Sequence, residues 1–232
     1  MKTNNGSKVR GITVGNAPRS LRDVIAAKAL TTTGASQQAS PWAAEGAYSA
    51  HAALPKRHDP EAWGQVMDIS TRVKTCVTRM AHNTVGLGWE VSPKPGVDLK
   101  AMDAGDAGLI VKQREALEDL LRNPNPDMPL EQLLTLVKQD EECTGDGYIE
   151  VCRDQAGRVV RLFHLPAIQT RVTQDGGFVQ LNGLKPIYFK AFGRAGYMDK
   201  TTGKLSPNVP VEKRASEVIH FRLYSPIDPV YG

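Results

Sequence analysis

The four residues Gly145-Asp146-Gly147-Tyr148 divide the chain into two kinds of sequence. Before them, apolar residues recur three and four apart, the period of a helix packed on one side. After them, apolar and polar residues alternate, the period of a half-buried strand. A chain that changes period once folds helices first and strands second, which is the α+β class. The expected architecture is long amphipathic helices packed on mostly antiparallel strands and hairpins.

On the helical side, Asp59 is suited to the N-cap and Pro60 to the first helical position. Trp63, Val66, Met67, Val73, Cys76, Val77, Met80 and Ala81 then form a stripe that predicts one long helix, ended by Gly86 and Gly88. The stripe places Trp63 and Val77 against the sheet. "GWEVSPKP" reads as a strand, and a second helix runs from about Leu109 to Leu121, stopped by Asn123 to Pro126, "NPNP". A third begins near Pro129 with Leu130, Leu133, Leu134 and Val137 on one face, and "GDG" ends it. Trp63 and Trp89 read as core anchors and Trp42 as a docking residue.

On the strand side, "YIEVCR" and "RVVRLFHL" joined by "DQAG" predict a β-hairpin, Gly157 supplying the backbone freedom of the tight reversal. Further strands are expected at Thr170 to Thr173, Phe178 to Leu181, Ile187 to Phe192 and Ser216 to Tyr224. Pro226 and Pro229 break the last one, and the stretch through Tyr231-Gly232 reads as the approach to another element.

Charge is distributed unevenly. Residues 1–58 carry Lys2, Lys8, Arg10, Arg19, Arg22, Lys28, Lys56 and Arg57 against Asp23 and Glu45, although the whole chain is only +4. This segment is rich in Ser, Thr, Ala, Gly and Asn, so two parts are expected: a flexible basic arm over 1–58 and an α+β body over 59–232. Lys2, Lys8, Arg10, Arg19 and Arg22 are the candidate contacts to nucleic acid or to an acidic capsid surface. A solvated leader is the bland alternative.

Catalytic motifs fail on inspection. "TTGKLS" has Leu205 where a P-loop needs Ser or Thr and Met198 where it needs its first Gly; "GLGWEV" follows a helix and has Val91 in place of the last Gly of a dinucleotide fingerprint. His51, His58, His82, His164 and His220 show no metal spacing with each other or with Cys76, Cys143 and Cys152. A Cys152–His164 nucleophile pair is open on sequence alone, while His164 and His220 in apolar strands read as core or edge histidines. Asp146 alone is far short of a calcium loop. The three cysteines favour reduced thiols, and no apolar run approaches the ~20 residues of a membrane span. The expectation is a protein without catalytic residues, metal or cofactor.

Three blocks in order, "TRVKTCVTRMAHNTVGLGWEV", "LLRNPNPDMPLEQLLTLVKQDEECTGDGYIEVCRDQAGRVVRLFHLPA" and "EVIHFRLYSPIDPVYG", resemble portal proteins of tailed double-stranded DNA bacteriophages. The resemblance covers roughly Asp59 to Gly232, and the arm matches nothing. It implies a wing-like body ending before the stem, in a structural subunit of a ring of about twelve copies at one capsid vertex. The ring would pass DNA during packaging and ejection. Implied partners are other copies of the chain, the terminase motor, a major capsid or scaffold protein, a head–tail connector or adaptor, and double-stranded DNA in the channel. The implied place is the virion, after synthesis in the host cytoplasm. Another phage minor head or connector protein, or a basic-armed DNA-binding module, are the alternatives.

Overall fold

The computed structural model describes residues 53–54, 56, 58–94, 103–182 and 185–232. Lys2, Lys8, Arg10, Arg19, Arg22 and Trp42 lie outside the described residues.

The helical stripe after Pro60 is interrupted. Helix α1 spans Pro60–Ile69 and α2 spans Thr71–Val85, with Ser70 extended between them at φ −97° and ψ 102°. The Ser70 hydroxyl accepts a hydrogen bond from the Val73 amide at 3.4 Å and so starts a new helix, while the Ser70 amide closes the old one on Val66 O at 2.9 Å. One long helix was the expectation; a serine that caps in mid-stripe makes two. The Asp59 carboxylate caps α1 as expected, accepting from the Glu61 amide at 3.0 Å.

The stripe also packs differently. Val77 and Ala81 are buried, but Cys76 and Met80 are exposed and Trp63 is only half-buried. Helix α2 lies on helix α4 (Leu130–Thr144) rather than on the sheet. Aspartate at Val77 should therefore cost about 2 kcal/mol, moderated because Val77 borders a cavity. That lowers the melting temperature by about 6 °C; thermal melts of V77D identical to wild type would refute this helix register.

Residues 88–94 form no strand. Among the described residues no strand lies beside them, and Trp89, read as a core anchor, is 36% exposed with its Nε1 donating to Glu131 Oε1 at 3.3 Å. Helix α3 spans Ala104–Arg122, starting ahead of the expected Leu109 because Ala104-Gly105-Asp106 carries no apolar period to signal it. The "NPNP" stop is a built corner. Asn125 Oδ1 accepts from the amides of Asp127 and Met128 at 2.9 and 2.8 Å, and its Nδ2 donates to Leu162 O at 2.7 Å. Those bonds hold the start of α4 onto the sheet.

The strands are β1 (Asp146–Arg153), β2 (Val159–Leu165), β3 (Thr170–Val172), β4 (Phe178–Asn182), β5 (Lys185–Ala191) and β8 (Glu217–Arg222), in one sheet of order β2-β1-β8-β5-β4-β3. A separate two-stranded ribbon, β6 (Tyr197–Met198) with β7 (Leu205–Ser206), was not anticipated because each strand is two residues long. Neighbours in the large sheet are antiparallel except β5 and β8, which run parallel through Lys190 opposite Glu217 and Ala191 opposite Val218. The fold is α+β, as the single change of period implied.

Each face of the sheet has its own core. On one face, Ile149, Val151 and Leu162 meet Leu133 and Val137 of α4. On the other, Tyr148 and Val218 meet Leu165, Val172, Phe178, Phe189 and Tyr231, with Leu54 and Val230 packed alongside. β1 is thus covered on both sides, and its first four residues are all buried. Among the described residues no helix is long and apolar enough to cross a membrane.

Candidate functional site

The most elaborately built polar site grows from the "GDGY" junction. Gly145 closes α4 at φ 85°, a left-handed conformation in which glycine carries no steric penalty. Gly147 lies where an added Cβ would sit 2.7 Å from Val137 O, so only glycine lets β1 pass this close to α4. Between them Asp146 is fully buried.

Pairing explains what Asp146 meets. In the β1–β8 ladder Tyr148 stands opposite His220, and Asp146 is two residues along on the same face, diagonal to His220. His220 Nε2 lies 2.7 Å from Asp146 Oδ1, and its ring stacks on Tyr148 with centroids 4.6 Å apart. The other carboxylate oxygen is met by the ammonium of Lys56, which also donates to Thr144 O at 3.3 Å. The Gly232 amide donates to Asp146 Oδ1 at 3.2 Å. One carboxylate thus gathers the segment before α1, the central strand β8 and the final residues of the chain.

Tyr231 reinforces the same junction. Its hydroxyl donates to Leu54 O at 2.7 Å and accepts from the Val172 amide at 3.0 Å. The Leu54 amide in turn donates to Val172 O at 2.7 Å, and Ala53 bridges to Thr173. Leu54 and Lys56, placed in the arm by composition, are therefore held against the sheet.

The electrostatics follow from burial and partners. Burial pushes the Asp146 carboxyl up, but the His220 hydrogen bond and the Lys56 ammonium outweigh it and hold it below the usual carboxylate range. Burial also lowers Lys56, which Asp146 only partly offsets. Burial raises the Tyr231 phenol to about 12, so it stays a neutral donor. Tyr148 is buried with its hydroxyl lacking a hydrogen-bond partner among the described residues, and burial pushes its phenol well up. The site's cation is a lysine of the chain itself. Among the described residues no group of three His, Cys, Asp or Glu is placed to hold a metal ion.

Two further ionic joints flank this one. Asp140 of α4 meets His164 Nε2 at 2.9 Å and accepts from the Ala167 amide at 2.8 Å. Glu217, buried at the start of β8, is bracketed by Arg153 and Lys190, both at 2.9 Å. All three joints bind one element to another. A cavity of about 490 Å³ opens beside the Asp146 joint, bordered by Trp63, Val73, Val77, Cys143, Ile227 and Tyr231.

The nucleophile pair considered from sequence does not form. Cys152 stands opposite Arg161, and His164 is three residues further along β2, on the opposite face of the hairpin. Burial raises the Cys152 thiol, the reverse of what a nucleophile requires, and His164 is committed to Asp140. The reading of His164 and His220 as core or edge histidines holds: both are partly buried in strands, each on a carboxylate. Sequence reasoning missed Lys56 and Asp146 as partners, for which the only signal was a charge between two glycines.

No family model matches the chain. Two Bacillus subtilis (strain 168) proteins are similar to it. The "uncharacterized protein YqbA" is 25% identical over 201 residues, covering 75% of this chain and 39% of that protein. The "phage-like element PBSX protein XkdE" is 25% identical over 192 residues, covering 72% of this chain and 38% of that protein. The chain thus spans about two fifths of the length of these relatives. Among solved structures, a chain in the neck of an empty gene transfer agent particle superposes with a TM-score of 0.54 over 81% of this chain and 44% of that one, at 15% identity. A chain from the virion of a native gene transfer agent particle gives 0.52 over 83% of this chain and 43% of that one, also at 15% identity. The likeness is one of fold.

Proposed function

We propose that this chain is the arm and wing region of a portal-type subunit, a structural component of a ring at the head–tail junction of a phage-like particle. The observation that carries the reading is helix α3. None of its 19 residues is buried among the described residues, and Leu109 and Leu117, eight residues apart on one side of it, are 58% and 43% exposed. A helix with an uncovered apolar face calls for a partner surface. In a ring that surface is a different face of the next copy. Ile227 and Tyr224, 69% and 90% exposed in the terminal segment, offer a second apolar patch.

The fold likeness to chains of gene transfer agent particles, and the similarity to a protein of a phage-like element, support this reading. So does the character of the polar joints, each of which ties one element to another. In this reading residues 1–58 are a basic arm docked at Ala53 to Lys56, residues 59–232 are the wing-like body, and the role is non-enzymatic. Its partners are other copies, capsid or scaffold protein, a connector, the terminase motor and double-stranded DNA, at one vertex of the virion.

The test is self-association. Wild-type chain should associate with rising concentration in sedimentation velocity, and the L109K/L117K variant should remain monomeric with an unchanged melting temperature. A wild type that is monomeric throughout, or a variant that associates as readily, removes the support.

A further inference from the structure

Leu54 stands opposite Val172, next to the Ala53–Thr173 bridge, in the position where an antiparallel pair exchanges two backbone hydrogen bonds. Only one of the two is made directly, from the Leu54 amide to Val172 O at 2.7 Å. The phenol of Tyr231 takes the place of the other. The Val172 amide donates to its oxygen at 3.0 Å, and its hydroxyl donates onward to Leu54 O at 2.7 Å. A side chain 177 residues further along the chain is thus a rung of the ladder that holds the segment before α1 to β3. Its ring is buried, with the Lys56 ammonium 5.0 Å from the centroid. The segment that delivers Tyr231 is pinned at both ends. The Leu223 amide donates to Gly145 O at 2.9 Å, and the Gly232 amide donates to Asp146. The Asp228 carboxylate accepts from the amides of Val230 and Tyr231 at 2.8 and 3.0 Å. Between the pins, Tyr224 and Ile227 stand exposed.

We infer that Tyr231 is a latch that couples the two segments: Ala53 to Lys56 stay on β3 only while Tyr231 is seated, and Tyr231 stays seated only while they are docked. Withdrawing the phenol leaves the buried Val172 amide and the Leu54 carbonyl unpaired. Lifting Leu54 away strips the phenol of its acceptor. Either loss costs more than a hydrogen bond exchanged for water, because a polar group remains behind without a partner. The coupling is therefore reciprocal, and a pull on the Tyr224–Ile227 stretch releases the segment before α1 just as the reverse does. Release also opens β3, the outermost strand at its end of the sheet, whose freed edge groups then pair with extended chain. The latch follows from the geometry of the joint and holds whether or not the chain forms a ring.

The experiment is hydrogen exchange at individual amides of the full chain, followed by NMR in wild type, Y231F and L54P. Y231F removes only the hydroxyl and should speed exchange at Leu54 and Val172 about tenfold, as expected for one lost hydrogen bond with its partners left unpaired. L54P removes the Leu54 amide donor and should speed exchange at Tyr231 and Gly232 by a similar factor. Leu133 and Ile149, in the core on the other face of the sheet, should exchange as in wild type in both variants. Y231F with Leu54 protected as in wild type overturns the inference, because the ladder then closes directly between Leu54 and Val172. L54P with Tyr231 and Gly232 still protected overturns it as well, since the two segments would then open independently. Equal acceleration at Leu133 and Ile149 in either variant also overturns it, because the hydroxyl would then support the whole fold and latch nothing in particular.

Discussion

Replacing Asp146 with Asn lowers the melting temperature by about 9 °C, the equivalent of about 3 kcal/mol for a body of this size. Asn fills the same space, so the loss is electrostatic: the Lys56 ammonium, 6% exposed, is left without a counter-charge and His220 without its carboxylate. K56M should be destabilising for the mirror-image reason. The double variant D146N/K56M should recover about 2 kcal/mol of the summed losses, since two charges removed together leave neither one buried alone. Strict additivity in chemical denaturation would show that the two groups do not interact.

The same carboxylate sets an acid limit. Its folded-state pKa lies below the unfolded value near 4. Its contribution is therefore complete above about pH 4 and is lost as the pH falls through the folded value. D146N should flatten the acid limb of the stability curve. An acid limb identical to wild type would place the titrating group elsewhere.

Substituting Ala for Gly147 has a comparable effect, about 3 kcal/mol, by a steric route. The new methyl would lie 2.7 Å from Val137 O and 2.8 Å from Val137 Cγ1. A side chain can move aside, but a carbonyl in the middle of α4 moves only with the helix. V137A added to G147A should therefore restore little, because it removes the Cγ1 conflict and leaves the carbonyl. Full rescue by V137A in guanidinium melts would mean that the side chain alone sets the approach.

These two residues show what could be read in advance. Gly145, Gly157 and the prolines of the "NPNP" stop were legible because each acts through its own backbone, whereas the Asn125 bond to Leu162 was not. The α4 face was legible because Leu130, Leu133 and Val137 sit on one period. The break at Ser70 was hidden, because Val66, Met67, Val73 and Val77 keep their spacing straight through it. Trp89 was misread because composition favours a strand there, and a strand forms only where another one lies beside it. The Asp146 joint was not legible at all: Lys56 and His220 are far from it in sequence, and only the register of β1 against β8 brings them together. Asp146 could be recognised as odd, but its partners could not be named.

The placement of β8 has a consequence for how the chain is made. β1 and β2 form a hairpin, and β3, β4 and β5 form a meander, but the two halves share no ladder; β8 joins them, antiparallel to one and parallel to the other. Arg153 and Glu217, which meet across the finished joint, are 64 residues apart. Both half-sheets exist with unpaired edges only from the completion of β5 at Ala191 to Glu217, 26 residues, or roughly 1 to 5 seconds at ribosomal rates. Exposed edges of this kind pair readily with the wrong chain. The nascent protein is therefore at its most sticky just before β8 emerges, and a translational pause just upstream of Glu217 should raise aggregation more than an equal pause after Arg222.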